Sequence, residues 1–290
     1  MEENSSLEPL AGEFPNAIRK GQLYLPPELI REIADNLTDH HSALYSISLT
    51  SKLWNQECQH FLYHTVIHRP WDDEGHGAPL SVLMDNPHLA GYIHTYRLEK
   101  DDVYAPPEGW WDLLRPGPAL RAMKNLKQLH IEVDHDTVPN DILDGCPFQL
   151  LSFSWNGFLP METEAGFLRF LATQWDLRRL GSIIRYSDFN PPLDLPSCAN
   201  LQHLEGDRES IEAFLPGRNV SSLVWVPKRG DPTTPFQHLS REFGLIEMFS
   251  LQTIYGFATI SAFDDLIQNL QNLQYLELAD SVSHSPIIVQ

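Results

Sequence analysis

From Leu80 onward the chain repeats a short apolar pattern, φxxφxφ, in which φ is apolar, and this repeat restricts the fold more than anything else in the sequence. Clear copies are Ile93/Tyr96/Leu98, Leu126/Leu129/Ile131, Phe148/Leu151/Phe153 and Leu273/Leu276/Leu278. Weaker ones stand at Leu177/Leu180, Leu201/Leu204, Val220/Leu223/Trp225 and Leu251/Ile254, with starts 19 to 33 residues apart. Helix-like stretches lie between them, at 119–124, 140–143, 164–173, 210–215 and 262–270. A single unit of this kind hides its strand face only by stacking on the next. Strand and helix alternating at this period therefore predict an α/β solenoid with a parallel sheet.

The pattern resembles a degenerate leucine-rich repeat. The regular repeat places Asn or Cys three residues beyond the last φ, and here only Asn156 does so, with Asp101, Asp134 and Ser281 at the other clear copies. An asparagine ladder is accordingly expected to be largely missing. If φ side chains face inward, the residues between them line an open face. The first part of that face carries carboxylates, with Glu132, Glu205 and Asp207 singled out as candidate target contacts. The last part carries Tyr255, Phe257 and Tyr275, and exposed aromatics commonly anchor interfaces.

Ahead of the repeats, residues 23–68 read as three short helices. Leu25-Pro26-Pro27-Glu28 is a helix start, because proline pre-sets φ, lacks an amide that the first turn leaves unpaired, and is followed by an acid suited to the helix dipole. Leu29, Ile30, Ile33, Ala34 and Leu37 follow at helical spacing, Asp39-His40-His41-Ser42 interrupts, and Leu44, Ile47 and Leu49 lie on a second helix. Thr50-Ser51 offers the cap of a third helix, lined by Trp54, Cys58, Phe61 and Leu62. A unit this small sits near the lower limit for independent folding, so its surplus apolar area goes to a partner or a neighbouring domain.

This arrangement resembles the F-box, through Leu25-Pro26, Glu28-Leu29, Ile33, Leu37, Leu44, Leu49 and Ser51-Lys52-Leu53-Trp54 in order. The following Phe61-Leu62-Tyr63-His64-Thr65-Val66 is similar to the segment by which many fungal F-box proteins enter their second domain. The resemblance implies docking to the Skp adaptor of a cullin-RING ubiquitin ligase through Leu25, Pro26, Leu29, Ile30, Ile33, Leu44, Leu49 and Trp54, with cullin reached through the adaptor. It divides the chain into a flexible lead-in over 1–22, an F-box over 23–68 and a leucine-rich-repeat-like, target-binding region over 69–290. The other reading is a non-catalytic repeat scaffold with no ligase role.

Composition narrows the remaining classes. The 290 residues carry 39 acidic against 20 basic side chains, a formal charge of −19, which offers no net attraction to nucleic acid or anionic lipid and favours a target bearing a basic segment. The three cysteines, Cys58, Cys146 and Cys198, have no paired spacing, and no stretch approaches a membrane span, so a reducing cytoplasmic or nuclear location is expected. Cys58, His60, His64 and His68 have apparent metal spacing, but a helix ending near Tyr63 would scatter them, leaving surface histidines. His130, Glu132, Asp134 and Asp136 alternate with apolar residues and read as one solvated strand face rather than a metal cage. Neither a nucleophile motif nor a glycine-rich phosphate loop is present, and Arg115-Pro116-Gly117-Pro118 reads as a turn. The expectation is a non-enzyme without cofactor.

Overall fold

The computed structural model describes residues 25–69, 78–99, 116–133, 141–158, 161–185, 198–228, 236–253, 266–280 and 287–289. They divide into two compact units between Cys58 and Gln59. The first holds helices α1 (Pro27–Asp35), α2 (His41–Ser48) and most of α3 (Lys52–Leu62). Pro26 and Pro27 open α1 with Glu28 in its first turn, as the sequence suggests. At α3 it is Ser51 that caps, its Oγ accepting from the Trp54 amide at 3.2 Å. Arg31 and Glu57 tie α1 to α3 at 2.7 Å, an exposed pair that contributes little.

The second unit is a mixed α/β structure built on one ten-stranded sheet whose strands follow in chain order. These are β1 (Thr65–His68), β2 (Thr95–Leu98), β3 (Gln128–Val133), β4 (Ser152–Phe158), β5 (Arg179–Arg185), β6 (His203–Gly206), β7 (Ser222–Trp225), β8 (Met248–Thr253), β9 (Tyr275–Asp280) and β10 (Ile287–Val289). The first nine are parallel and β10 returns antiparallel on β9. Helices α4 (Ala78–Asp85), α5 (Pro87–Ala90), α6 (Pro116–Ala122), α7 (Met161–Thr173), α8 (Arg208–Phe214) and α9 (Ser240–Phe243) lie between strands in sequence. Their apolar residues, among them Leu83, Leu120, Phe167, Phe170 and Phe214, share one core with the second and fourth positions of the strands. Tyr96, Leu129, Phe153, Leu180, Leu204, Leu223 and Phe249 fill the second position and are all buried.

Two copies of the repeat sit in a different register from the expected one. In β4 the buried set is Leu150/Phe153/Trp155, and Leu151, expected inside, is 39% exposed. Leu151 stands just before its strand, at the place that His94, Lys127, Arg178 and Gln202 hold elsewhere, where the amide reaches back to the preceding unit. In β8 the inward set is Ile246/Phe249/Leu251 rather than Leu251/Ile254; Ile254 lies outside the described residues. Both stretches have surplus apolar residues, so the pattern fits each of them twice. Leu276 and Leu278 of β9 pack on the core but are only half-buried.

Other local expectations also shift. Pro116 and Gly117 begin α6 and are buried, since a proline in the first turn blocks no helical hydrogen bond. The expected helix near 140–143 is a turn over 141–145, in which Gly145 takes a φ of 71°. His68, expected at the surface, is buried, with Nδ1 3.1 Å from the Tyr96 hydroxyl. Loops expected outside the core at 69–79, 101–118, 185–197 and 227–236 fall largely outside the described residues.

Asparagines do form a ladder, at another position than the regular repeat uses. Asn125, Asn200 and Asn272 immediately precede the first φ of their units, and each donates through Nδ2 to a carbonyl of the unit before: Gly91 at 2.7 Å, Trp175 at 3.0 Å and Gly244 at 2.6 Å. Before β5 this position is Asp176, which has no donor. Gln174, fully buried, takes over. Its Nε2 donates to the Phe148 carbonyl at 3.4 Å and its Oε1 accepts from the Leu150 amide at 2.9 Å.

Candidate functional site

Two surfaces stand out, one in each unit. In the first, Ile30, Ala34, Leu44 and Cys58 are buried, so Ile30 and Leu44, expected on the docking face, form the interior instead. Leu29 and Ile33, one turn apart on α1, are 46% and 39% exposed, and Tyr45 and Leu49 are 61% and 66% exposed. Each pair has i, i+4 spacing and therefore shares a side of its helix. Pro26 is exposed, and Leu25 and Trp54 are half-buried. Tyr45 is the member of this surface that apolar periodicity passed over, because a tyrosine between Leu44 and Ser46 reads as solvent-facing filler.

The second surface is the face of the sheet opposite the helices. Strand register stacks the third residue of each strand in one row, running Arg97, His130, Ser154, Gly181, Glu205, Val224, Ser250 and Glu277. Its first residues form a parallel row that includes Arg179, His203, Ser222, Met248 and Tyr275. Tyr275 is half-buried beside Met248, which is 49% exposed and was not anticipated; Tyr255 and Phe257 lie outside the described residues, as do Asp134 and Asp136.

Most acids of this face already have partners. Glu99 accepts from Arg69 at 2.8 Å and from Arg97 at 3.1 Å. Glu132 accepts from Asn156 Nδ2 at 3.2 Å and lies 3.9 Å from His130 Nε2. Asp207, expected as a target contact, is instead a structural residue only 1% exposed. Its Oδ1 caps α8 by accepting from the Ser210 amide at 2.8 Å, and its Oδ2 pairs with Lys228 Nζ at 2.6 Å. Burial alone would lower the Lys228 pKa, but hydrogen bonds to Asp207 and Glu209 outweigh it and raise it. A cap signal was present in the sequence, an acid four residues before Ile211 and seven before Phe214 with a serine three residues on.

Glu205, like Glu277, is different. Among the described residues its carboxylate makes no hydrogen bond or ion pair, although it is half-buried. Burial pushes its pKa above the ordinary carboxylate value, and His130 offsets this only in part. His203, beside it in the neighbouring row, shares a hydrogen bond with Ser222 Oγ at 2.9 Å, and burial followed by the Arg179 charge lowers its pKa.

A raised folded-state pKa means that Glu205 adds stability below its unfolded value and loses that contribution as the pH rises through the folded value. Ionised Glu205 thus weakens the fold at neutral pH. Glu205→Gln should raise the melting temperature near pH 7, and the gain should shrink as the pH falls to about 4, below the ordinary glutamate value. Paired scanning calorimetry across that range checks this; a gain that is the same at both ends would contradict it.

Two of the cysteines lie in surroundings that disfavour the thiolate. Burial raises the Cys58 pKa, and that of Cys146 is pushed up to about 12, so neither is a ready thiolate. Among the described residues no three His, Cys, Asp or Glu side chains gather as metal ligands, and no helix is long and apolar enough to cross a membrane. A scan against protein-family models and a search of curated proteins found nothing that matches the chain.

Proposed function

We propose that the chain is a substrate receptor of F-box type, docking through its first unit to the Skp adaptor of a cullin-RING ubiquitin ligase and holding a protein target on an irregular leucine-rich-repeat solenoid. The observation that carries this is the first unit's surplus of exposed apolar area: Leu29, Ile33, Tyr45 and Leu49 all lie open in three short helices. Isolated apolar residues are ordinary on a surface, but i, i+4 pairs on consecutive helices are what a helical docking site needs. The Leu25-Pro26 start and the Ser51-Lys52-Leu53-Trp54 motif support the same reading.

In this role the chain supplies proximity. It holds the target near a charged conjugating enzyme and performs no bond chemistry itself, so no nucleophile or cofactor is required. Cytoplasm and nucleus, where cullin ligases act, are the proposed locations. The test is copurification of the adaptor from cells expressing the full chain. Replacing Leu25-Pro26 by Ala-Ala, or Leu49 alone by Glu, should abolish copurification while leaving the melting temperature of the sheet unit within a degree or so, because the changes lie in the first unit and Pro26 and Leu49 are exposed. Adaptor retained by Leu49→Glu would leave the plain scaffold reading.

A further inference from the structure

We propose that the open face of the sheet holds a site for one cationic side chain, a lysine or arginine of the bound target, seated over Gly181 against the Glu205 carboxylate. This rests on the reading of that face as target-binding. In the central row, Ser154 and Gly181 separate His130 from Glu205. At about 4.8 Å per strand, roughly 14 Å of backbone lies between them, and the two intervening residues rise no higher than a hydroxyl. Larger side chains border this low step, with Arg179 and His203 in the row before it and Glu132 and Asn156 in the row after.

The step is fixed by packing. A Cβ at Gly181 would stand 2.9 Å from Ser154 Oγ, so even alanine requires the serine to move. Beside it stands Glu205, which like Glu277 makes no hydrogen bond or ion pair among the described residues, whereas Glu99, Glu132 and Asp207 have partners; of the two, Glu205 is the one that adjoins the step. The Glu205 carboxylate is partly desolvated and takes no hydrogen bond from the described residues, so water serves it in the free chain and a cationic group can replace that water. The sign of that ligand follows from the surroundings. An anion drawn by His130, His203 and Arg179 would meet the Glu205 charge at close range in a chain of net charge −19, whereas an ammonium or guanidinium satisfies it.

The full-length chain is to be panned against a display library of random dodecapeptides, beside Glu205→Gln and, as a control, Glu99→Gln. The parent and the control should enrich peptides with one Lys or Arg at a fixed position, and norleucine there should weaken binding by about tenfold or more. Glu205→Gln should lose that preference while keeping its fold, as its melting temperature reports. The proposal is overturned if nothing is enriched, if the enriched peptides lack a basic residue or carry acids instead, or if the basic preference survives Glu205→Gln. None of these results depends on the adaptor. A chain that selects basic peptides yet binds no adaptor would refute the ligase role and leave this site standing.

Discussion

Phe153→Ala is expected to destabilise the sheet unit by about 3–5 kcal/mol. Phe153 is fully buried at the second position of β4, with ring centroids 5.7 Å from Phe167 and 5.5 Å from Phe170 of α7. Trp155 meets Phe167 edge-on at 5.8 Å and Phe148 meets Phe170 edge-on at 6.0 Å, so both rings that touch Phe153 are held by other rings and resist collapse into the space that alanine would leave. Leu151, two residues away and 39% exposed, provides the contrast: Leu151→Ala should fall within about 0.5 kcal/mol of the parent. Urea denaturation of both variants decides the register. Equal losses would mean that Leu151 also faces inward.

Gln174→Leu should cost about 2–4 kcal/mol despite being larger in apolar area, because it strands two buried backbone groups at about 1–3 kcal/mol each. The Leu150 amide and the Phe148 carbonyl, on the unit before, have Gln174 as their side-chain partner. Leucine is close to glutamine in shape, so the loss would come from unsatisfied polarity rather than from a cavity. Adding Asp176→Asn, which restores the residue used at Asn125, Asn200 and Asn272, should recover part of it. Hydrogen exchange at the Leu150 amide gives a second readout, since only the loss of its acceptor would speed that site ahead of the rest of β4.

How much of this was legible in the sequence varied from one residue type to another. Inward positions of β2, β3 and β6 could be read directly, since each has apolar residues only where the strand needs them. Around Phe148–Trp155 and Ile246–Leu251 the surplus of apolar residues let the pattern slide, and only the backbone hydrogen bonds fix the frame. The asparagine ladder was visible as Asn-Leu or Asn-Val ahead of four copies, at Asn125, Asn200, Asn219 and Asn272, but it was sought on the far side of the strand. Asp207 reads equally as a face residue and as a helix cap, because the row ends where α8 begins. Nothing in composition distinguishes Glu205 from the other acids of the face. Its isolation arises from Ser154 and Gly181 on neighbouring strands, 24 or more residues away in the chain.

The reversal of β10 on β9 makes the sheet asymmetric in what it can accept. Strands within it touch only their two neighbours, so a unit inserted or deleted in the middle would leave every other pairing intact. On the far side of β9, three residues pair against the direction of the other strands, so this contact does not repeat the one used between units. Size variation in chains of this build is thus expected to accumulate between β1 and β9, where each added unit repeats the same parallel pairing.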